Sequence, residues 1–506
     1  MNIKQLLFGS LFIGGVLAVT RLLFAKPASA KPVAEATSYD LIDEYIEEQR
    51  RRLHIPGISL VIVEGDKIVH YRGFGQARPG GEAPTPQTPF FIGSVTKSIT
   101  ALAIMQLVEA GKVELDAPVQ RYLPWFRVAD RESSAQMTVR QLLNHTSGLS
   151  MVQGQTILTD FDDDPDATER QLRALATLKL AHPVGAKFAY NNTNYNILGL
   201  IIEAASGETY ADYIQNHIFN PLGMSHSYTS QSAAQQNGLA IGYRYWFGYP
   251  FPEPDIPIPS GSLPSGQLIS CAEDMGHYLI AQLNGGQYGE AQILSSSGIA
   301  EMHRGTAEII EMGLRLGSYA MGWENQMSGK STIVWHSGIV PNFGSCAALV
   351  PEQKRGLALL FNVNHAMIKL TFDEFGFGAA QRLAGETPSK TRLDWAPWLM
   401  RGMALIPILQ VVDVVTTLRR VNRWRVNPAS RPPRGRLWRQ HIMFPLVTNL
   451  LLALTLVPML GKMRGWMKLF MPDFSWIARI CGGFALVWSF LRTGLILRSL
   501  HKSIKP

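Results

Sequence analysis

Cysteine is scarce in this 506-residue chain, which holds only Cys271, Cys346 and Cys481. Three cysteines cannot build a disulfide framework, and no cysteine or histidine spacing suits a zinc site. Cys481 lies in an apolar stretch. Cys271 and Cys346 could pair after export, but two buried free thiols are the better reading, because lone cysteines are mostly core residues. A glycine-rich phosphate loop is missing, and so is any βα repeat. The run Asp160-Phe161-Asp162-Asp163-Asp164-Pro165-Asp166 lacks the glycine and the distal glutamate of a calcium loop. Asp166-x-x-Glu169 reads instead as a cap for the next helix. No metal and no cofactor is expected.

Acids nearly vanish from Ala396 onward, where Asp413 and Asp473 are the only two. That segment carries a net charge of +15 and the residues before it −7, so the basic excess of the whole chain, +8, belongs to the tail. The basic residues sit between apolar segments rather than over a folded face. They therefore point to membrane topology and not to nucleic acid. Three apolar segments, near 398–418, 441–460 and 476–497, are each about long enough to cross a bilayer as a helix. Between the first two lie Arg419, Arg420, Arg423, Arg425, Arg431, Arg434, Arg436 and Arg439 without an acid. The positive-inside rule places that loop in the cytoplasm, Lys462 to Asp473 outside, and Arg498, Lys502 and Lys505 inside. The first segment, with Arg401, Gln410 and Asp413, is also open to reading as an interfacial helix. Asp413 is expected to neutralise an arginine of a neighbouring helix.

At the other end, Lys4, the apolar run Leu6 to Val19 and Ala28-Ser29-Ala30 read as a secretory signal over residues 1–30. Arg21 and the short run Leu22 to Ala25 leave an uncleaved anchor open. In either case residues 38–394 leave the cytoplasm, and residues 396–506 form a membrane domain.

The exported part mixes helix and strand patterns. Leu41, Ile42, Tyr45 and Ile46 mark an amphipathic helix, and Gly57 to Val63 with Lys67 to Gly73 reads as a hairpin. Strands return at Ser331 to Trp335, Phe343 to Val350 and Leu357 to Asn362, followed by a helix at about Ile368 to Leu383. The expected fold is α+β, an antiparallel sheet flanked by terminal helices with an inserted, mainly helical lobe and a site at the seam. Tyr243 to Pro259, rich in aromatics and proline, is expected to be a rigid loop that either walls an acyl pocket or lies on the surface.

Ser94-Val95-Thr96-Lys97 is the feature richest in chemistry. A serine at the first turn of a helix with a lysine three residues on puts hydroxyl and amine on one face, which activates a nucleophile without histidine. The spacing alone is weak, since Ser499-Leu500-His501-Lys502 repeats it. Tyr190-Asn191-Asn192 precedes a helical run. A phenol beside an ammonium is stabilised as phenolate, so Tyr190 beside Lys97 suits a general base, and Asn192 suits a substrate amide. Helix capping by asparagine explains the same tripeptide without function. Trp335-His336-Ser337-Gly338 ends a β-rich run, where a small residue and a glycine let a substrate lie along the strand.

In order, Ser94-x-x-Lys97, Tyr190-x-Asn192 and His336-x-Gly338 resemble the three motifs of the serine β-lactamase and penicillin-binding-protein superfamily. They are most similar to its class C β-lactamase-like branch, which includes esterases and D-amino-acid peptidases. Leu142-Leu143-Asn144-His145-Thr146-Ser147-Gly148-Leu149 and Pro221-Leu222-Gly223-Met224 resemble recurrent segments of that branch. The resemblance covers roughly Leu41 to Leu383. It implies that Ser94 attacks a carbonyl, that Lys97 and Tyr190 share the proton, that Asn192 binds the substrate amide, and that the backbone N–H groups of Ser94 and Ile339 form an oxyanion hole. The chain departs from penicillin-recognising members at His336, where lysine is common. A mostly neutral histidine argues against strong recognition of a substrate carboxylate. The catalytic domain with its membrane tail resembles D-amino-acid prodrug-activating peptidases, and Pro341-Asn342-Phe343-Gly344-Ser345-Cys346 is similar to their segment after the third motif, which adds Asn342 to the substrate-contacting candidates with His336, Gly338 and Ile339. The expected activity is acyl-enzyme hydrolysis of an amide or ester, on a small molecule or peptide from D-amino-acid or cell-envelope chemistry. A β-lactamase, a carboxylesterase and a non-hydrolysing penicillin-binding sensor remain the alternatives, and membrane lipids are the other expected partner.

Overall fold

Runs of β-branched and apolar residues build an eight-stranded antiparallel sheet. The computed structural model describes residues 38–501 except 151–163, 165, 256–259, 312, 389–394 and 457–463. The expected signal or anchor, most of the aspartate run and the end of the second expected span fall outside the described residues.

In chain order the strands are β1 (Gly57–Glu64), β2 (Lys67–Gly75), β3 (Tyr243–Trp246), β4 (Tyr249–Pro252), β5 (Ala307–Glu311), β6 (Leu314–Tyr319), β7 (Glu324–Ser328), β8 (Ser331–Val340), β9 (Phe343–Val350), β10 (Arg355–Phe361) and β11 (Val363–Asn364). The large sheet runs β2-β1-β10-β9-β8-β7-β6-β5, and a second sheet runs β11-β3-β4. The helices that matter here are α1 (Ser38–Leu53), α2 (Thr96–Glu109), α3 (Asn192–Ser206), α4 (Ala272–Leu283), α5 (Lys369–Leu383), α6 (Leu405–Val426), α7 (Phe444–Leu456) and α8 (Pro472–His501). The α+β expectation holds, with helices between β2 and β5 forming the inserted lobe. The early hairpin, the late strands and the helix before Leu383 are present.

β1, β9 and β10 are buried almost along their whole length, as strands covered on both faces must be. The register shows what covers them. Val61 lies opposite Ala358, itself opposite Ala347, so these three share one face, while Cys346 and its partner Leu359 point to the other. A side chain on Gly276 of α4 would meet Val61, and one on Gly376 of α5 would meet Cys346. Those two glycines let α4 and α5 press on opposite faces, with the main core on the Val61 side. All three cysteines are free and buried.

Several sequence expectations needed correction. Tyr243 to Pro252 is a β-hairpin, not an irregular loop, because β3 finds a parallel partner in β11. The strands β5, β6 and β7 had no strong sequence signal; they form the outer end of the sheet, with β5 at its edge, and β6 and β7 carry many partly exposed side chains, so their apolar alternation is weak. Asp166 does stand at the N-cap of the helix Ala167–Arg173, but its carboxylate pairs with Arg170 instead of capping the backbone.

In the tail, two helices among the described residues are long and apolar enough to cross a membrane, Ala396–Val426 and Pro472–Leu500. As expected, Asp413 serves an arginine of a neighbouring helix: its Oδ2 lies 3.3 Å from Arg492 Nε and accepts from Trp488 Nε1 at 2.8 Å.

Candidate active site

Ser94 stands in a tight turn, Gly93–Val95, that leads directly into α2. The approach is held in the core, where Phe90–Phe91 pairs with Ile269–Ser270 and Ile92 N–H donates to Leu268 O at 3.0 Å. Gly93 has φ +54, and a Cβ there would fall 2.5 Å from Ile339 N. Across the crevice, a Cβ on Gly338 would fall 2.1 Å from Ile92 O and 3.0 Å from Ser94 N. Two glycines thus allow the third-motif strand, β8, to lie against the nucleophile's turn. Ser345 Oγ, on β9, locks the contact by donating to Ile92 O at 2.6 Å.

Lys97 lies one turn into α2 and is completely buried. Its Nζ is 3.1 Å from Ser94 Oγ and 2.7 Å from Asn192 Oδ1, and it also donates to Ser265 O. Burial lowers its pKa well below the ordinary lysine value. In its uncharged form such an amine has two N–H bonds and one lone pair. The carbonyl oxygens of Asn192 and Ser265 can only accept, so they take the two N–H bonds. The lone pair is left facing the Ser94 hydroxyl.

The second motif does both things its sequence allowed. Asn191 is the N-cap of α3, its Oδ1 accepting from Thr193 N at 2.8 Å, while Asn192 opens the helix and faces Lys97. With Oδ1 engaged, the Asn192 amide NH₂ is the end left for a substrate carbonyl. Tyr190 is half-buried, with Lys97 Nζ 4.9 Å from its ring centroid. Desolvation raises its phenol pKa, opposed by a hydrogen bond with Ser94. Burial thus favours the neutral phenol, in opposition to the phenolate stabilisation that a neighbouring ammonium would give.

His336 is buried, 2% exposed, and its ring nitrogens are both used. Nδ1 lies 2.6 Å from Ser337 O, which can only accept, so Nδ1 carries the proton. Nε2 then accepts from Tyr319 Oη at 3.1 Å. Burial, aided by Lys97, pushes the imidazole pKa down to about 3. It is neutral, as expected, and offers no charge to a carboxylate. Asn342 turns the β8–β9 hairpin at φ +64 and is buried, with its amide given to Glu253 Oε2 at 2.8 Å. Its place is in the turn beyond the third motif, whereas Ser94, Lys97, Tyr190, Asn192, Gly338 and Ile339 come together.

Three participants carried no assigned role in the sequence. Ser265 contributes only a backbone oxygen, which no side-chain pattern can reveal. Tyr319 sits on β6, a strand that was itself unrecognised. His145, within the recurrent segment, is fully buried at φ +55, with its ring centroid 4.5 Å from that of Tyr190. Its Nδ1 accepts from Asn191 N at 3.2 Å and from Asn194 Nδ2 at 2.9 Å, tying the tyrosine's support to the start of α3. Elsewhere, His226, Cys271 and Asp274 lie close enough to suggest a metal. Two of them also serve a helix start: Cys271 Sγ accepts from Asp274 N, and Asp274 Oδ2 accepts from His226 N and Ser227 Oγ.

An antiparallel sheet with a helical lobe, and a serine, lysine and tyrosine at their seam, define the β-lactamase and transpeptidase fold. The beta-lactamase family matches residues 42–371, and the chain belongs to it. It is 30% identical over 331 residues to Protein flp of Staphylococcus aureus (strain N315), an alignment covering 65% of this chain and 64% of that protein. It is 27% identical over 374 residues to Unguisins hydrolase ungD' of Aspergillus campestris, covering 70% of this chain and 67% of that protein. Among solved structures, the octameric penicillin-binding protein homologue from Pyrococcus abyssi matches at TM-score 0.60 and 29% identity, over 70% of this chain and 78% of that one. A class C beta-lactamase matches at TM-score 0.58 and 21% identity over 72% of this chain and all of its own, a likeness of fold.

Proposed function

We propose that this protein is a membrane-anchored, extracytoplasmic hydrolase that opens an amide or ester through an acyl-enzyme on Ser94. The observation that carries the reading is the geometry at Lys97, whose Nζ lies 3.1 Å from Ser94 Oγ while two carbonyl acceptors hold its N–H bonds. As the Ser94 oxygen bonds to the substrate carbonyl carbon, its proton passes to Lys97 Nζ. The carbonyl oxygen becomes an anion facing the backbone N–H groups of Ser94 and Ile339, donors of a type worth about 3–4 kcal/mol each. Collapse breaks the C–N or C–O bond, and the leaving amine or alcohol takes a proton from the Lys97 and Tyr190 pair. Water then attacks the acyl-serine by the same route in reverse, releasing the acid and restoring Ser94.

On the substrate side, Asn192 holds a carbonyl of the acyl group. The neutral, internally satisfied His336 supports a substrate recognised by something other than a carboxylate. That favours a D-amino-acid-containing peptide or cell-envelope amide over a penicillin. A relative named as a hydrolase of unguisins accords with hydrolysis. The hydrolase domain spans 38–394, and the tail 396–506 crosses the membrane three times, near 398–418, 441–460 and 476–497, with the arginine loop inside. The +15 charge of the tail and its two apolar helices support this topology.

The test is intact-protein mass spectrometry of the full chain after exposure to a fluorophosphonate and to a fluorescent penicillin, beside Ser94→Ala. An adduct on the wild type that is lost in the variant is expected with the fluorophosphonate. Labelling by penicillin would revise the substrate class, and no adduct with either reagent would refute the nucleophile and bring the sensor reading forward.

A further inference from the structure

Asp473, at the head of α8, is fully buried, although it begins one of the two helices apolar enough to cross a membrane. Its carboxylate has three donors. Phe474 N–H lies at 2.6 Å, Phe247 N–H at 2.9 Å and His365 Nε2 at 2.8 Å. His365 is buried to the same degree, and its Nδ1 accepts from Met367 N at 3.3 Å, so the proton resides on Nε2 and points at Asp473. Every polar valence at this junction is matched, so loss of any one partner leaves another buried and unpaired.

Two of those donors belong to the small sheet beside the active site. His365 directly follows β11, and Phe247 is in the turn between β3 and β4. Asp473 thus grips both the end of β11 and the tip of the hairpin paired with it. Phe247 packs against the cluster of Leu456, Ile477, Ala478 and Cys481, all from the tail. Arg401, also of the tail, lies 5.7 Å from the Tyr249 ring centroid.

The same sheet holds the strand that carries the third motif. Asn364 Nδ2, adjacent to His365, donates to Val340 O at 3.1 Å, and Val340 follows Ile339. On the other side Glu253, just past β4, accepts from Asn342 and pairs with Arg244 of β3. The turn Val340–Phe343 is therefore suspended from the small sheet at two points, and the small sheet is clamped by Asp473.

We propose that the tail is a structural part of the substrate site, with Asp473 acting as the positioning residue that sets, through the β11-β3-β4 sheet, the turn beyond Ile339. The effect on substrate rests on the reading of β8 as the wall of the site; the mechanical link does not. The first measurement is hydrogen–deuterium exchange on the full chain in detergent micelles, comparing wild type, Asp473→Ala, Asp473→Asn and Asp413→Asn. Asp413 contacts Arg492 and Trp488 inside the tail and so reports general loosening of the helices. In Asp473→Ala, amides of 243–253 and 340–344 are expected to exchange about tenfold faster or more, with those of β1 and β10 unchanged. Asp473→Asn, which keeps one acceptor oxygen, gives a smaller rise, and Asp413→Asn gives none in these segments. Uniform acceleration, no change, or an equal response to Asp413→Asn would overturn the link. A second readout uses an N-acyl-D-amino-acid anilide and a small p-nitrophenyl ester. KM for the anilide rises in Asp473→Ala while kcat for the ester holds within about twofold. A parallel loss of both would make Asp473 merely structural, and failure of the wild type to turn over either substrate refutes the hydrolase reading without touching the exchange result.

Discussion

Lys97 and Asp473 are both completely buried, and each has three polar partners, yet the two centres do opposite things. Around Asp473 every neighbour is a donor and the carboxylate accepts from all of them, so the junction is closed and rigid. Around Lys97 two neighbours are obligate acceptors, and burial weakens the hold on the proton that would satisfy a third. One valence is left over, and it faces a hydroxyl. Burial alone therefore does not separate a joint from a reactive centre. The count of donors against acceptors does.

Lys97→Met breaks the comparison at its reactive end. It removes the lone pair, and fluorophosphonate labelling of Ser94 is expected to slow by about 10²–10⁴-fold, the range associated with loss of a general base. Methionine fills similar volume, so thermal denaturation should still show a folded domain. A labelling rate within tenfold of wild type would show that Lys97 is not the base. Gly338→Ala comes next. Its Cβ would meet Ile92 O at 2.1 Å and Ser345 Oγ at 2.4 Å, so β8 must withdraw from the turn that carries Ser94. Overpacking of this kind costs about 1–3 kcal/mol, read by chemical denaturation, with labelling reduced alongside. Unchanged stability would mean that the strand is not pressed on the turn.

Acidification tests the histidines of the reactive centre. His336, held down to about 3, and His145, held well below its ordinary value, are neutral in the fold and protonate near 6.5 when unfolded. The unfolded state then binds more protons, so stability falls as pH drops from about 6.5 toward the folded values, by about 1 kcal/mol per pH unit for each group. Urea midpoints between pH 7 and 5 should decline accordingly, and His336→Gln should flatten the slope. A flat wild-type profile would mean that both rings charge in the fold, and a halved slope that one does.

Much of this was readable in the residues because it rests on local rules. The early hairpin follows from two strand-forming runs joined through Glu64-Gly65-Asp66, and Ser94 with Lys97 share a face because the helix repeat brings positions three apart together. Asn191 as a cap was legible from its place before a helical run, whereas the contact of Asn192 with Lys97 was not. What escaped depends on contacts distant in sequence. The Ser265 carbonyl has no residue signature, and β5 to β7 are half-exposed strands at the outer end of the sheet whose pattern is diluted. The Tyr243–Pro252 hairpin became regular only because β11, more than a hundred residues later, pairs with β3. That burial favours the neutral Tyr190 phenol, against charge attraction, needed knowledge of the fold.

The smallest expected effect is Tyr319→Phe, which sharpens the contrast by opening one closed valence beside the reactive centre. Tyr319 Oη donates to His336 Nε2, and the phenylalanine leaves that nitrogen buried without its donor. Loss of such a bond between neutral groups costs about 1 kcal/mol, a shift of a few degrees in thermal denaturation. The imidazole stays desolvated and next to Lys97, so it stays neutral, and no carboxylate preference should appear. Because His336 spends both nitrogens on the protein, labelling of Ser94 should change by less than about threefold, well below the loss expected for Lys97→Met. A loss of labelling that matched Lys97→Met would place the Tyr319–His336 pair in the proton path, and the reactive centre would then extend one residue pair further along the sheet than the Lys97 geometry requires.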